Sequence, residues 1–190
     1  MLGRDELEST YYLTIMFKVF TLIFALLLLG LISCEEDKEL KLSTPKENYT
    51  GSLRTEGYYY LTISNETEER ALSYILYRDG TLLYGGAPLV ADIAGRETDY
   101  TNGTWTLAAT GEKTFWGVFQ VIDNNMLFDQ WYIRDGGLLA SYQTKGTILN
   151  DTTFIMSSSN REGLDGVPLE EIYHFKALSP KPDSTNQFLD

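Results

Sequence analysis

Cys34 is the only thiol in this 190-residue chain and His174 the only imidazole. A thiol can attack an electrophile, carry a lipid as a thioether, pair with a second thiol or hold a soft metal. A single cysteine leaves no intramolecular disulfide and no cysteine-based zinc or iron–sulfur site. Cys34 and His174 lie toward opposite ends of the sequence, and no nucleophile stands beside His174, so a triad built on them is not expected. His174 alternates with Ile172 and Lys176, opposite Tyr173, Phe175 and Ala177, which puts it on the wet face of a strand. Gly111-Glu112-Lys113-Thr114 has the ending of a phosphate-binding loop, but such a loop needs a second framing glycine and no acid against the phosphate. It reads as a turn into a strand.

Carboxylates and tyrosines remain. Asp129 shares a strand face with Leu127, Trp131 and Ile133. If that face is buried, the carboxylate needs a partner, and Arg78, Arg134, Tyr132 or Tyr142 could supply one. If Met126, Phe128 and Tyr132 face inward instead, Asp129 lies in solvent; this is the expected arrangement, because charged residues are rarely buried unpaired. Tyrosines such as Tyr58, Tyr74, Tyr84, Tyr132 and Tyr142 could stack on sugars or line a cavity, although packing across strands is their commoner use. Asp129, Trp131, Tyr132 and Tyr142 are thus the candidate ligand contacts. No catalytic residue, metal ligand or cofactor is expected.

The clearest chemistry concerns the thiol. Val19 to Ile32 is fourteen residues without a charge, preceded by Lys18 and followed by the small Ser33. A helix of that length rises about 21 Å, short of the roughly 30 Å hydrocarbon core. It suits the apolar region of a signal peptide, while extension back to Tyr11 would make a membrane helix instead. Leu31-Ile32-Ser33-Cys34 resembles a bacterial lipobox. The resemblance implies cleavage between Ser33 and Cys34 and a diacylglycerol on the Cys34 sulfur. A second acyl chain on the new amino terminus would then give stable anchoring, where one chain is marginal. Residues 1–15 carry Arg4 against Asp5, Glu6 and Glu8, whereas an export leader opens with positive charge, so translation is expected to begin at Met16.

Glu35, Glu36 and Asp37 resemble the acidic surface-export signal of lipoproteins in the Bacteroidetes group; the alternative is a charge run that solvates a tether. The resemblance implies attachment to a bacterial outer membrane, with display at the cell surface. Asp151-Thr152-Thr153 and Asp183-Ser184-Thr185 are similar to a short glycosylation motif of that group, and equally to ordinary turn chemistry.

The net charge is −12. Dropping residues 1–33 removes Arg4 and Lys18 against Asp5, Glu6 and Glu8, leaving 13 basic and 24 acidic residues, net −11. With no basic cluster, such a surface repels nucleic acid. Residues 35–50 are polar, contain Pro45 and lack periodicity, so 34–50 reads as a lipidated cysteine with an acidic linker. Residues 179–190, with Pro180 and Pro182, read as a flexible tail.

Between them, 51–178 is a series of strand signals. These fall at 57–64, 72–86 around an Asp79-Gly80 type I′ turn, 104–109, 114–123, 125–133, 138–149, 152–159 and 171–178. Only 88–97 could hold a short helix, with Pro88 in its first turn. Eight or nine strands joined by hairpins imply an all-β, antiparallel up-and-down barrel, or a compact sandwich. In 114–123 both faces are apolar, so these strands should be covered on both sides.

The pattern, including YILYRDGTLLYGG and KGTILNDTTFIM, resembles small lipocalin-like barrel domains of bacterial lipoproteins, without the lipocalin Gly-x-Trp signature, whose place is taken by Gly57-Tyr58-Tyr59. The resemblance implies a non-enzymatic module, anchored to the membrane by lipid, that binds a small ligand, a glycan or an envelope protein. An accessory subunit of an envelope assembly and a carboxylate-based hydrolase are the alternatives.

Overall fold

A computed structural model of the chain describes residues 40–164 and 166–189. The apolar run, the Ser33–Cys34 junction and Glu35, Glu36 and Asp37 lie outside the described residues, as does Met16.

Eight antiparallel strands form a closed up-and-down barrel. They are β1 (Gly57–Ser64), β2 (Glu69–Leu76), β3 (Thr81–Gly86), β4 (Trp116–Ile122), β5 (Asn125–Ile133), β6 (Leu139–Asn150), β7 (Thr153–Ser159) and β8 (Glu171–Ala177). Each strand pairs with the next in sequence, and β8 closes on β1 through Gly57 opposite Ala177 and Tyr60 opposite His174. Gly57 is required at this seam: a Cβ there would sit 2.1 Å from the Lys176 carbonyl oxygen.

The pleat sends alternate side chains inward. Tyr59, Leu76, Leu82, Phe119, Phe128 and Phe154 meet in the barrel interior. The opposite faces of β1 to β5 carry Tyr58, Ile75, Leu83, Trp116 and Trp131 into a second apolar layer on the outer wall. This explains the two apolar faces of β4. Trp116 is fully buried and donates from Nε1 to the Ala109 carbonyl at 2.9 Å.

The cover on that wall comes from three segments. The first is the β3–β4 connection, which holds helices α1 (Ile93–Thr101) and α2 (Thr104–Thr110). A 3-10 turn at Val90–Asp92 precedes α1, so the helix begins well after Pro88. Helix α2 replaces the strand expected at 104–109. Its β-prone threonines and tryptophan are overridden because the short helix buries Ala109 and sets Trp105 edge-on to Tyr100 and Phe115. Gly111 to Thr114 is a turn, as expected, leading into a 3-10 turn at Lys113–Phe115.

The second and third segments correct the expected linker and tail. Residues 40–50 lie along the barrel: the Trp131 Nε1–H donates to the Leu40 carbonyl at 3.0 Å, Gln120 Nε2 donates to the Pro45 carbonyl at 3.0 Å, and Thr44 and Tyr49 are buried. In the tail, Pro182 is buried and Phe188 and Leu189 join the outer apolar layer. Lys181 Nζ donates to the carbonyls of Thr55 and Leu76. Both segments are polar in composition, but their backbone groups find partners on the barrel.

The β2–β3 hairpin also differs from expectation. Gly80 has φ 83°, while Arg78 and Asp79 keep negative φ, and Gly80 N–H donates to the Tyr77 carbonyl. This is a type I turn closed by a left-handed glycine, not type I′.

Candidate functional site

Connections alternate between the barrel's two ends. The β2–β3, β4–β5 and β6–β7 hairpins lie at one end; the β1–β2, β3–β4, β5–β6 and β7–β8 connections lie at the other. The first end is closed from inside. Tyr49 inserts against Phe119, with ring centroids 5.3 Å apart, and its hydroxyl accepts the Leu53 N–H at 2.7 Å. Arg78 covers the outer side of the Tyr49 ring. Leu53 is fully buried beside them.

The second end holds a cavity of about 460 Å³. Its walls include residues of six strands: Tyr74 from β2, Tyr84 from β3, Gln130 and Tyr132 from β5, Tyr142 and Thr144 from β6, Met156 from β7, and Glu171 and Tyr173 from β8. Arg161, Leu164 and Leu169 from the β7–β8 connection form part of the mouth, with Phe115 opposite.

The polar groups in the cavity are tied to one another. Tyr142 donates to Gln130 Oε1 at 3.2 Å, and Tyr173 donates to Glu171 Oε2 at 3.0 Å. Tyr132 and Tyr142 meet edge-to-face at 5.4 Å, and the Arg161 guanidinium lies about equally over both rings, 5.0 and 5.3 Å from their centroids. Tyr74 packs against Tyr84, Phe128 and Tyr173.

Burial pushes the Tyr74 hydroxyl well above the usual phenol range. Burial also raises Tyr142 and Tyr84, with Arg161 opposing the shift in both. Tyr173 is raised by burial and by the neighbouring Glu171 carboxylate. These phenols therefore stay protonated at neutral pH and offer ring faces, while the Tyr142 and Tyr173 protons are already donated to Gln130 and Glu171. Among the described lining residues Glu171 is the one carboxylate, and among the described residues no group of His, Cys, Asp and Glu could hold a metal ion. Such a lining can recognise rings; among the described lining residues, two carboxylates across a cleft, which glycoside hydrolysis uses, are not brought together.

Of the four candidate ligand contacts, Tyr132 and Tyr142 face this cavity. Trp131 points to the outer wall beneath Leu40, with its edge at the mouth. Asp129 does not reach the cavity. As expected, Met126 and Phe128 face inward and Asp129 outward, but Asp129 is not in solvent: it is only 1% exposed. The 40–50 segment covers it, and its Oδ2 accepts from Ser43 Oγ at 2.8 Å and Thr44 N–H at 2.9 Å. The partners are thus a hydroxyl and a backbone amide from a segment read as linker, with Gln143 Nε2 at 3.4 Å, not the arginines or tyrosines considered. His174 is exposed, opposite buried Tyr173, as its alternation implied.

Gln130, Glu171 and Arg161 were not singled out from sequence. The alternation in β5 and β8 carries the first two: Gln130 shares a face with Phe128 and Tyr132, and Glu171 with Tyr173. Arg161 sits in an irregular connection with no periodicity to place it.

No protein-family model, curated protein or solved structure matches the chain. Among the described residues no helix is long and apolar enough to cross a membrane.

Proposed function

We propose that the chain is a bacterial envelope lipoprotein, anchored to the outer membrane through a lipid on Cys34, whose barrel is a non-enzymatic binding module for a small ligand. The observation that carries the binding reading is the 460 Å³ cavity, closed at one end by Tyr49 and open at the other, with tyrosine faces and a few fixed polar groups. Concave sites of this size, in which ring faces are combined with placed polar groups, are a usual form of small-molecule site. The ring faces of four protonated phenols favour a ligand with a ring to stack, such as a glycan unit or an aromatic compound. The lipobox at Leu31 to Cys34 supports the anchor, and Glu35, Glu36 and Asp37 support display at the surface.

Two measurements test the reading. Native mass spectrometry of protein purified without denaturation should show a retained small mass that is lost in a Tyr142→Ala, Tyr84→Ala double variant. Cells fed labelled palmitate should mark the wild-type chain and leave Cys34→Ser unmarked. An empty barrel that also fails to take up any compound from an envelope extract would remove the binding reading.

A further inference from the structure

The open end of the barrel carries a group of partly exposed aliphatic side chains. Ile133, Leu138 and Leu139 flank the β5–β6 turn, and Leu164 and Val167 lie in the β7–β8 connection. All five are between 36% and 63% exposed. Because β6 and β7 are neighbours, the two connections stand side by side, and Arg134 in one pairs with Glu162 in the other at 3.5 Å. At the closed end, the comparable exposed residues are two, Ile122 and Leu149, on the neighbouring β4–β5 and β6–β7 hairpins. Isolated exposed aliphatics are ordinary; a cluster on one rim marks a contact surface.

The path of residues 40–50 indicates what covers it. Leu40, the first described residue, is held beside the open end: its carbonyl accepts from Trp131 Nε1, two residues before Ile133, and from Lys113 Nζ at 3.1 Å. From there the segment runs toward the closed end, past Asp129 to Gln120. The chain leading back to Cys34 therefore leaves from the rim. Six peptide units reach at most about 22 Å.

We propose that this rim rests on the lipid surface that holds the anchor, so that the cavity opens onto the membrane. The inference rests on the Cys34 anchor of the proposed function and adds an orientation to it. A tether pinned at the closed end would have held the aliphatic cluster away from lipid; pinned at Trp131, it keeps Leu138 and Leu164 within reach of the interface. The occupant is a bilayer surface of low charge, since the acidic chain gains nothing from anionic headgroups and must adhere through apolar area.

The test uses protein purified from cells and carrying one added cysteine: Leu138→Cys or Leu164→Cys on the rim, or Leu149→Cys at the closed end. All three sites are exposed, so the fold should hold, as circular dichroism will verify. Each variant is labelled with a thiol-reactive fluorophore and placed in phosphatidylcholine vesicles. A thioether at Cys34 leaves one dye per chain. Docking predicts that iodide quenches both rim dyes roughly threefold or more less than the Leu149→Cys dye, and that nitroxide phospholipid quenches the rim dyes selectively, as for groups seated at the headgroup boundary. One dye per chain with equal iodide access at all three sites overturns the docking alone. Two dyes per chain mean that Cys34 is a free thiol, which removes the anchor and the docking with it.

Discussion

Asp129 Oδ2 accepts the backbone N–H of Thr44 at 2.9 Å, across 85 positions of sequence. Ser43 Oγ and Gln143 Nε2, at 2.8 and 3.4 Å, complete the set on the same oxygen. Asp129 Oδ1 is buried without a partner among the described residues, so a carboxyl group enclosed this fully depends on the donors at Oδ2. The relationship therefore works in both directions: the 40–50 segment shields the carboxylate, and the carboxylate fixes that segment along β5.

Asp129→Ala should detach residues 40–46 and cost about 1–3 kcal/mol, the range for leaving buried donors without their acceptor. Urea unfolding measures the cost, and limited proteolysis should show new cleavage near Ser43. Unchanged values in both would mean that the carboxylate contributes nothing to holding the segment.

Gly57→Ala places a methyl 2.1 Å from the Lys176 carbonyl oxygen at the β1–β8 seam. The strands must move apart, and overpacking of this kind costs typically 1–3 kcal/mol. Faster hydrogen exchange confined to the Gly57–Tyr60 and His174–Ala177 pairing would report it, and a seam that exchanges as in wild type would contradict it.

Lys181 is pushed down from 10.5 to about 8, chiefly by burial against the barrel. Between these values the unfolded chain binds more protons than the folded one, so this group makes stability rise with pH from about 8 to 10.5 and adds no slope below 8. Lys181→Met should remove that rise, seen as the difference between the two proteins' unfolding free energies across the window. Parallel curves would show that the ammonium is not desolvated.

Tyr100 donates to the Gly85 carbonyl at 2.6 Å, and burial raises its hydroxyl to about 12. Above pH 10 the unfolded chain loses this proton first, so stability falls through the window from 10 to 12. Tyr100→Phe should be less stable at neutral pH by about 1 kcal/mol for the lost hydrogen bond, yet lose less on going to pH 12. Alkaline titration followed at the tyrosinate absorbance, alongside unfolding, distinguishes the two effects.

Much of the barrel could be read directly. The spans 57–64 and 125–133 coincide with β1 and β5, because a pleated strand stamps a period of two on its own residues and turns interrupt it. The same rule placed Phe128 and Tyr132 inward and His174 outward. Local signals failed where a distant contact outweighs them: Trp105 and Ala109 make a helix from a strand-like segment because Tyr100, Phe115 and Trp116 surround them. Residues 40–50 and the tail read as loose because their own composition is polar, and nothing near them in sequence reveals the carbonyls and indole that receive them.

Composition and periodicity by themselves determined an antiparallel all-β body in sequence order, with one thiol at the end of an apolar run. Tertiary structure alone decided which end of the barrel stays open, which tyrosines line it and which acid is enclosed. Those outcomes depend on pairs such as Tyr49 with Phe119 and Thr44 with Asp129, whose members are far apart in the chain and meet only when the sheet closes.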